Sequence, residues 1–532
     1  MDAFLRSSRR FLTEHPLLAV WLIGLGLRLA CAWFAVGFFA RDDYFHVLDI
    51  ALAWIDDPTF VWETSDKAGA GIRSHLLPRI VEGLLRLGSA LGLETPTAKL
   101  RFIQATLGVY ASLLVPATWM LTERTSERTQ RIATALAAAH FVFPYVGTRL
   151  LIESAAIPPM VFGLAWIRRG QSRSTLWPFV VGGFLIGLAC WLRYPIGVVG
   201  LSAAAVVAFS GYRAPHTSAN AANRAVQVSA IAGGAAAAIV LQGLFDQLTV
   251  GEFLGPLRRN IEANLDPHER LTSSHPLSYL GLWVALTAPP LSVVVIPAMF
   301  KAGRREPITA IPWIAFVLFH SMIPHKEERF MIPALPLFTT MLAMVPDEIE
   351  RSGGRFFAWA QRWRRPAWGF FAAIHAVALA IAVGAQSQAN VRDAMTFLRD
   401  DGGANAVISL GPELQPFFLD RTDVPTARTS RPDLVWLGQV LAETQRQSDL
   451  IPNRFLCFES ECGTLEVMLL ALQLSCDPPT QFHGFWGDRL AFRLNPEHNR
   501  RRSTVNLYAC RRPSLASATS HRVHRQVVTS DS

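Results

Sequence analysis

Charge is scarce in this sequence. Only 17% of its 532 residues are Asp, Glu, Lys or Arg, while 51% are hydrophobic, and the mean hydropathy is +0.26. That scarcity argues against a soluble chain, which at this length would divide into several domains with amphipathic helices. Cysteine is also rare, six in all, and its spacing is not that of a zinc ribbon. No internal repeat is visible, so nothing suggests the two related halves common in transporters. What the sequence does have is a series of apolar runs near the ~20 residues needed to cross a bilayer. They predict an all-α polytopic membrane protein.

The segment MDAFLRSSRRFLTEH is basic and leads into PLLAVWLIGLGLRLACAWFAVGFFA. That run exceeds the ~7–15 residues of a signal-peptide core and reads as a retained first crossing. About eleven crossings are expected, at 16–39, 103–121, 132–147, 150–167, 176–193, 196–211, 225–245, 277–299, 307–323, 331–346 and 367–386. Arginines crowd the connections of one parity, from Arg124, Arg128 and Arg131 to Arg351, Arg355 and Arg364. This places those loops and the N-terminus in the cytoplasm and accounts for the net charge of +9 without nucleic acid. An odd number of crossings puts the other end outside.

Two outer segments are long, 40–102 and 246–276. The first opens RDDYFHVLDIALAWIDDPTFVWETSD, with seven acidic residues from Asp42 to Asp66, and continues RIVEGLLRLGSALGL. The helical spacing of Leu, Ile and Val among Arg and Glu predicts a helix lying in the interface. Residues 1–386 are expected to form the transmembrane domain. Residues 387–532 form a small extracytoplasmic α/β region with a polar, basic end. Its Cys457, Cys462, Cys476 and Cys510 can make two disulfides in three connectivities.

HKEERFMIP, residues 325–333, packs His, Lys, Glu, Glu and Arg between two apolar runs. By parity it faces outward, as do Asp42 and Asp43 beyond the first crossing. Arg149, Arg193 and His275 are further outer cations. Acids at one edge and cations at another suit transfer of a sugar from a lipid phosphate. A carboxylate takes the proton of an attacking hydroxyl, and Lys and Arg hold the departing phosphate. The same charges also fit an ordinary juxtamembrane cluster, and Arg149 and Arg193 fit snorkelling side chains. Arg28, inside the first crossing, fits either a buried structural pair or the cavity. No outer cluster has metal-ligand spacing, so no metal or other cofactor is expected.

HKEERFMIPALPLF resembles the His-Lys-Glu-x-Arg-Phe signature of mannosyltransferases that use dolichol-phosphate-mannose, glycosyltransferase family 22, which includes GPI-anchor and Alg9-like enzymes. RDDYFHVLDIALAW, FVWETSDKAGAGIRSHLLP, GTRLLIES, WLRYPIG and SSHPLSYL are similar to other family segments, in family order. The resemblance covers roughly residues 15–345. It implies the GT-C membrane fold and an inverting transfer of mannose from a polyprenyl-phosphate donor to a glycan or glycolipid, forming an α-mannoside. It implies Asp42 as general base, with Asp43 standing where the family usually has Glu. His325, Lys326 and Arg329 would face the donor phosphate. Glu327 would order those cations or touch acceptor hydroxyls, and His275, Arg73, Arg149 and Arg193 would line the cavity. The turn after Arg149 lacks the Asn and later Glu of many members. An Ala- and Arg-rich composition points to a GC-rich, bacterial genome and so to an inner membrane, with the endoplasmic reticulum as the eukaryotic equivalent. Competing expectations are a GT-C enzyme moving another lipid-linked sugar, a transporter or flippase, and a scaffold whose C-terminal region binds partners.

Overall fold

The computed structural model describes residues 14–35, 37–40, 43–65, 71–172, 175–209, 218–265, 275–323, 326–421, 424–429, 438–439, 452–497 and 499–511. Asp42 and His325 therefore lie outside the described residues. The chain divides into two compact units, Met1–Gly384 and Ala385–Ser532.

The first unit is helical. Among the described residues, five helical spans are long and apolar enough to cross a membrane: Pro16–Phe34, Pro96–Leu121, Asn223–Val250, Glu328–Arg351 and Arg364–Val383. Shorter apolar helices include Trp177–Leu192, Tyr194–Phe209, Ser292–Gly303 and Pro307–Met322. Local chemistry sets several starts. Pro16 supplies a pre-set φ at the first helical turn, and Thr95 and Ser126 accept the amides of Ala98 and Thr129 as N-caps.

Some expected crossings are broken. The stretch 132–147 divides into Glu127–Ala139 and Val142–Val146, and 150–167 into Ile152–Ala155 and Ile157–Gly170. The stretch 277–299 is interrupted between Ser278–Leu286 and Ser292–Gly303, where Pro289 and Pro290 bring no amide donor. Helix Trp177–Leu192 packs so closely on Ser218–Val250 that a Cβ at Gly183 would stand 2.0 Å from the Ile231 carbonyl.

Arg28 is a structural group. Its buried guanidinium donates to the carbonyls of Gly24, Ala137 and Ala138 at 2.9, 3.0 and 3.2 Å. It thereby closes the C-terminus of helix Glu127–Ala139, where unpaired carbonyls and the helix dipole both favour a cation.

After the first helix the chain runs through Tyr44–Leu48, Asp49–Asp56, Trp62–Thr64 and Leu76–Ala90. The last of these buries Leu77, Val81 and Leu85 at four-residue spacing and exposes Ile80 and Leu87. It is amphipathic, as its sequence predicts. At the far end of the 24-residue span Glu328–Arg351, charges are paired. Arg168 meets Glu306 at 2.6 Å, Arg169 meets Glu123 at 2.6 Å, and Arg128 meets Glu350 at 2.7 Å.

The second unit is a small α/β structure. Its strands are β1 (Val407–Leu410), β2 (Thr426–Thr429), β3 (Arg454–Phe458), β4 (Ser475–Cys476), β5 (Thr480–Phe482) and β6 (Val505–Arg511). The sheet order is β2-β1-β3-β6-β4, with β5 also pairing β6. β1 is parallel to β2 and β3, and β6 runs antiparallel to β3. Ile408, Phe455, Leu465, Met468 and Tyr508 share its core. Of the three connectivities open to the four cysteines, the structure has Cys457–Cys462 and Cys476–Cys510.

Candidate active site

The site begins where the first helix ends. Arg149, in the turn after Val142–Val146, donates to the Gly37 carbonyl at 2.6 Å and to that of Cys31 at 3.4 Å. Its guanidinium lies 4.6 Å from the centre of the Tyr145 ring and is buried. Arg149 thus braces the backbone that carries Asp43 rather than snorkelling to the surface.

The same loop closes on Asp43, whose Oδ2 accepts the Phe39 amide at 2.7 Å. The other oxygen, Oδ1, is buried and receives no hydrogen bond among the described residues. Residue exposure is 1%. Burial pushes the carboxyl up to about 7, against the opposing pull of the Phe39 and Ala40 amides and of the charges on Arg149 and Arg329.

Asp43 lines a small cleft that is open to solvent. His46, Arg73, Ser74, Glu153 and Arg329 line it, with Val47, Leu150, Leu151 and Ile152 as an aliphatic wall.

Arg329 comes from the 3₁₀ helix Glu328–Ala334. Its Nη2 donates to Glu327 Oε1 at 2.9 Å and its Nε to Oε2, a two-point fork that fixes the guanidinium plane. The Lys326 ammonium donates to the Ile323 carbonyl at 2.6 Å, just beyond helix Pro307–Met322. Arg193 lies 3.5 Å from Glu153 Oε1 and over the Phe330 ring. Glu153 has no solvent exposure.

Arg73 is held from both sides. Arg259 Nε donates to the Gly71 carbonyl at 3.0 Å, and Asn260 Nδ2 to that of Ile72 at 2.9 Å. Gly71 has a φ of +65°, which favours glycine. On the other side, Ser74 Oγ accepts the Leu76 amide. Buried His75 packs against the Trp54 and Trp62 rings and meets Glu63 at 2.9 Å. Burial opposes a charged Glu63, but the bond from His75 and the charges of His75 and Arg259 hold it below the ordinary carboxylate range.

The structure therefore gathers Asp43, Arg73 and Arg329 around one cavity, with Glu327 and Arg193 touching its lining groups. It does not place His275 there. That residue is exposed, and its Nδ1 accepts the Leu277 amide beside helix Ser278–Leu286. Sequence reasoning missed Glu153, Arg259 and Asn260. Glu153 carried a signal, an acid inside an apolar stretch. The other two gave none, standing 188 residues from the carbonyls they hold. Among the described residues no three His, Cys, Asp or Glu side chains come together as metal ligands.

Comparison with known proteins agrees with this architecture. The crystal structures of ArnT from Cupriavidus metallidurans, apo and bound to undecaprenyl phosphate, superpose with TM-scores of 0.53 and 0.54. They share 12% and 13% identity, and 94% of this chain and 98% of theirs is covered. The oligosaccharyltransferase AglB from Archaeoglobus fulgidus, in complex with an inhibitory peptide and a dolichol-phosphate, gives 0.52 at 11% identity, covering 86% of this chain and 71% of that one. At such identity the likeness concerns the fold, which is GT-C. The Dol-P-Man:Man(7)GlcNAc(2)-PP-Dol alpha-1,6-mannosyltransferase of Arabidopsis thaliana is 34% identical over 71 residues, 13% of this chain. Those residues span only 14% of that curated relative. Residues 19–411 match the Alg9-like mannosyltransferase family, and this integral membrane protein belongs to it.

Proposed function

We propose that this chain is an inverting mannosyltransferase. It moves mannose from a polyprenyl phosphate to a hydroxyl of a lipid-linked glycan or glycolipid on the extracytoplasmic side of the membrane. The observation that carries the reading is Asp43: a buried carboxyl, one oxygen of which has no hydrogen bond among the described residues, in a cleft whose other charged walls include Arg73 and Arg329.

In the reaction, the acceptor oxygen bonds to C1 of the sugar from the face opposite the phosphate. The C1–O bond to phosphate breaks, and polyprenyl phosphate leaves with the electron pair. The hydroxyl proton passes to a carboxylate of the Asp42–Asp43 pair, with Asp42 as the base implied by family resemblance and Asp43 at its side. A general base is worth ~10²–10⁴ in rate. The fork of Arg329, held by Glu327, meets the charge growing on the phosphate, and Arg73, Lys326 and His325 complete that positive end. Arg149 and Arg193 hold the backbone and side chains around it. The bound polyprenyl and dolichyl phosphates of ArnT and AglB support a lipid donor. The arginine bias of one loop parity supports a cytoplasmic N-terminus, and the Ala- and Arg-rich composition supports a bacterial inner membrane.

The test is a donor panel. The purified full chain in vesicles is offered labelled polyprenyl-phosphate-mannose, -glucose and -arabinose, with glycolipid extracts as acceptors. Transfer from the mannose donor alone, giving an α-mannoside, is expected. Transfer from another sugar donor, or none from any, overturns the reading.

A further inference from the structure

We infer that Glu153 is a sugar-hydroxyl acceptor that selects the transferred hexose, in the cavity that holds Asp43 and Arg329. The inference rests on the transferase reading above and names a specificity residue for it.

The reasoning starts from cost. A buried carboxylate without donors loses its hydration and gains nothing in return. Glu153 has no solvent exposure, yet neither of its oxygens receives a hydrogen bond among the described residues. Arg193 at 3.5 Å supplies charge rather than a well-formed hydrogen bond. Such a group persists where a ligand brings the missing donors.

The location narrows the ligand. Glu153 lines the same cavity as Asp43, Arg73 and Arg329. A phosphate beside it would be repelled, so the donor phosphate belongs with the arginines. A divalent cation would meet the positive charge of those arginines. A neutral polyol has neither conflict: its hydroxyls donate to the carboxylate and the aliphatic wall covers its carbon face. In a lipid-linked sugar the phosphate adjoins the hexose, so one cavity with arginines and an unfilled carboxylate matches both parts. The helix Ile152–Ala155 that carries Glu153 packs against the 3₁₀ helix that carries Arg329, which sets the two ends of the donor head group at fixed separation. A site built to bond a hydroxyl rejects the analogue that lacks it far more strongly than an apolar pocket rejects a methylene.

The experiment uses the reconstituted full chain and a series of polyprenyl-phosphate-mannose donors, each missing one hydroxyl. In the unaltered protein one deoxy donor should fall by roughly 10⁴-fold in kcat/KM relative to mannose. In Glu153→Ala that donor and mannose should be transferred within about threefold of each other. Glu153→Asp keeps a charge for Arg193 and draws the carboxylate back by one methylene. It should keep the melting temperature and still flatten the deoxy profile. If both variants keep the profile of the unaltered protein, Glu153 only pairs with Arg193 and the inference fails. If the unaltered protein transfers glucose or arabinose instead, the mannose reading fails, and the deoxy series on that sugar judges Glu153 by itself.

Discussion

The two ends of the membrane unit treat charge in opposite ways. At the arginine-rich end nearly every acid has met a partner: Arg168 with Glu306, Arg169 with Glu123, Arg128 and Arg364 with Glu350, and Ser126 and Thr129 with Asp347. At the cavity end buried acids, Asp43, Glu153 and Asp246 among them, keep oxygens without hydrogen bonds among the described residues. Paired charges join helices. Charges left open in a buried site cost stability, and on the function proposed above a substrate completes them.

The sharpest way to break this contrast is to remove the aspartates proposed to take the proton. Asp42→Asn and Asp43→Asn, assayed separately with labelled donor, should each lower turnover, the true base by about 10²–10⁴-fold and its neighbour by less. Equal, small losses would remove the chemistry from this pair. Next, Arg329→Ala should cost roughly 10²–10³ in turnover, and Arg329→Lys should not restore it, because an ammonium lacks the two-point fork.

A pH series separates stability from activity. Asp43 sits near 7 in the folded chain, above its ordinary 3.8. Between those values the folded state binds the extra proton, so this residue's contribution makes the protein less stable as pH rises from about 4 to 7. Activity should move the other way, rising through about 7 as the carboxylate forms. Asp43→Asn should flatten the stability slope in thermal melts. It should also flatten the rate profile if Asp43 itself takes the proton.

Smaller effects test the supports. Arg259→Ala releases the Gly71 carbonyl and should lower kcat/KM by about ten- to a hundredfold, chiefly through displacement of Arg73, with partial recovery in Arg259→Lys. An unchanged ratio of kcat to KM with a large fall in melting temperature would mark a purely structural role. The smallest change belongs to the paired end. Arg169→Ala, in a partly exposed pair, should cost under about 1 kcal/mol of stability and leave transfer unaltered.

Much of this was legible in the sequence, for physical reasons that differ by region. Long apolar runs must become helices in lipid, because no other donor or acceptor is available to the backbone. HKEERFMIP stood out because charge at a crossing edge is costly enough to need a reason. The amphipathic helix Leu76–Ala90 followed from periodicity alone. The breaks at His140, at Ala156 and at Pro289–Pro290 were harder, since short apolar pieces look like one continuous span. Arg149 was the instructive case. Its charge marked it as a cavity group, but the carbonyls of Cys31 and Gly37 claim its donors. The pairing of Arg259 and Asn260 with Gly71 and Ile72 joins segments far apart in the chain, and no local pattern encodes it.

Arg28 has a consequence for how the protein is made. A guanidinium at the centre of a crossing costs roughly 2.5–3.5 kcal/mol on insertion, and two of its three carbonyl partners, Ala137 and Ala138, are synthesised about 110 residues later. Until the helix ending at Ala139 has been made, the growing chain holds an unfinished hydrogen-bond set at Arg28. Arg28→Leu should insert the first helix more readily and leave that later helix end without its cap.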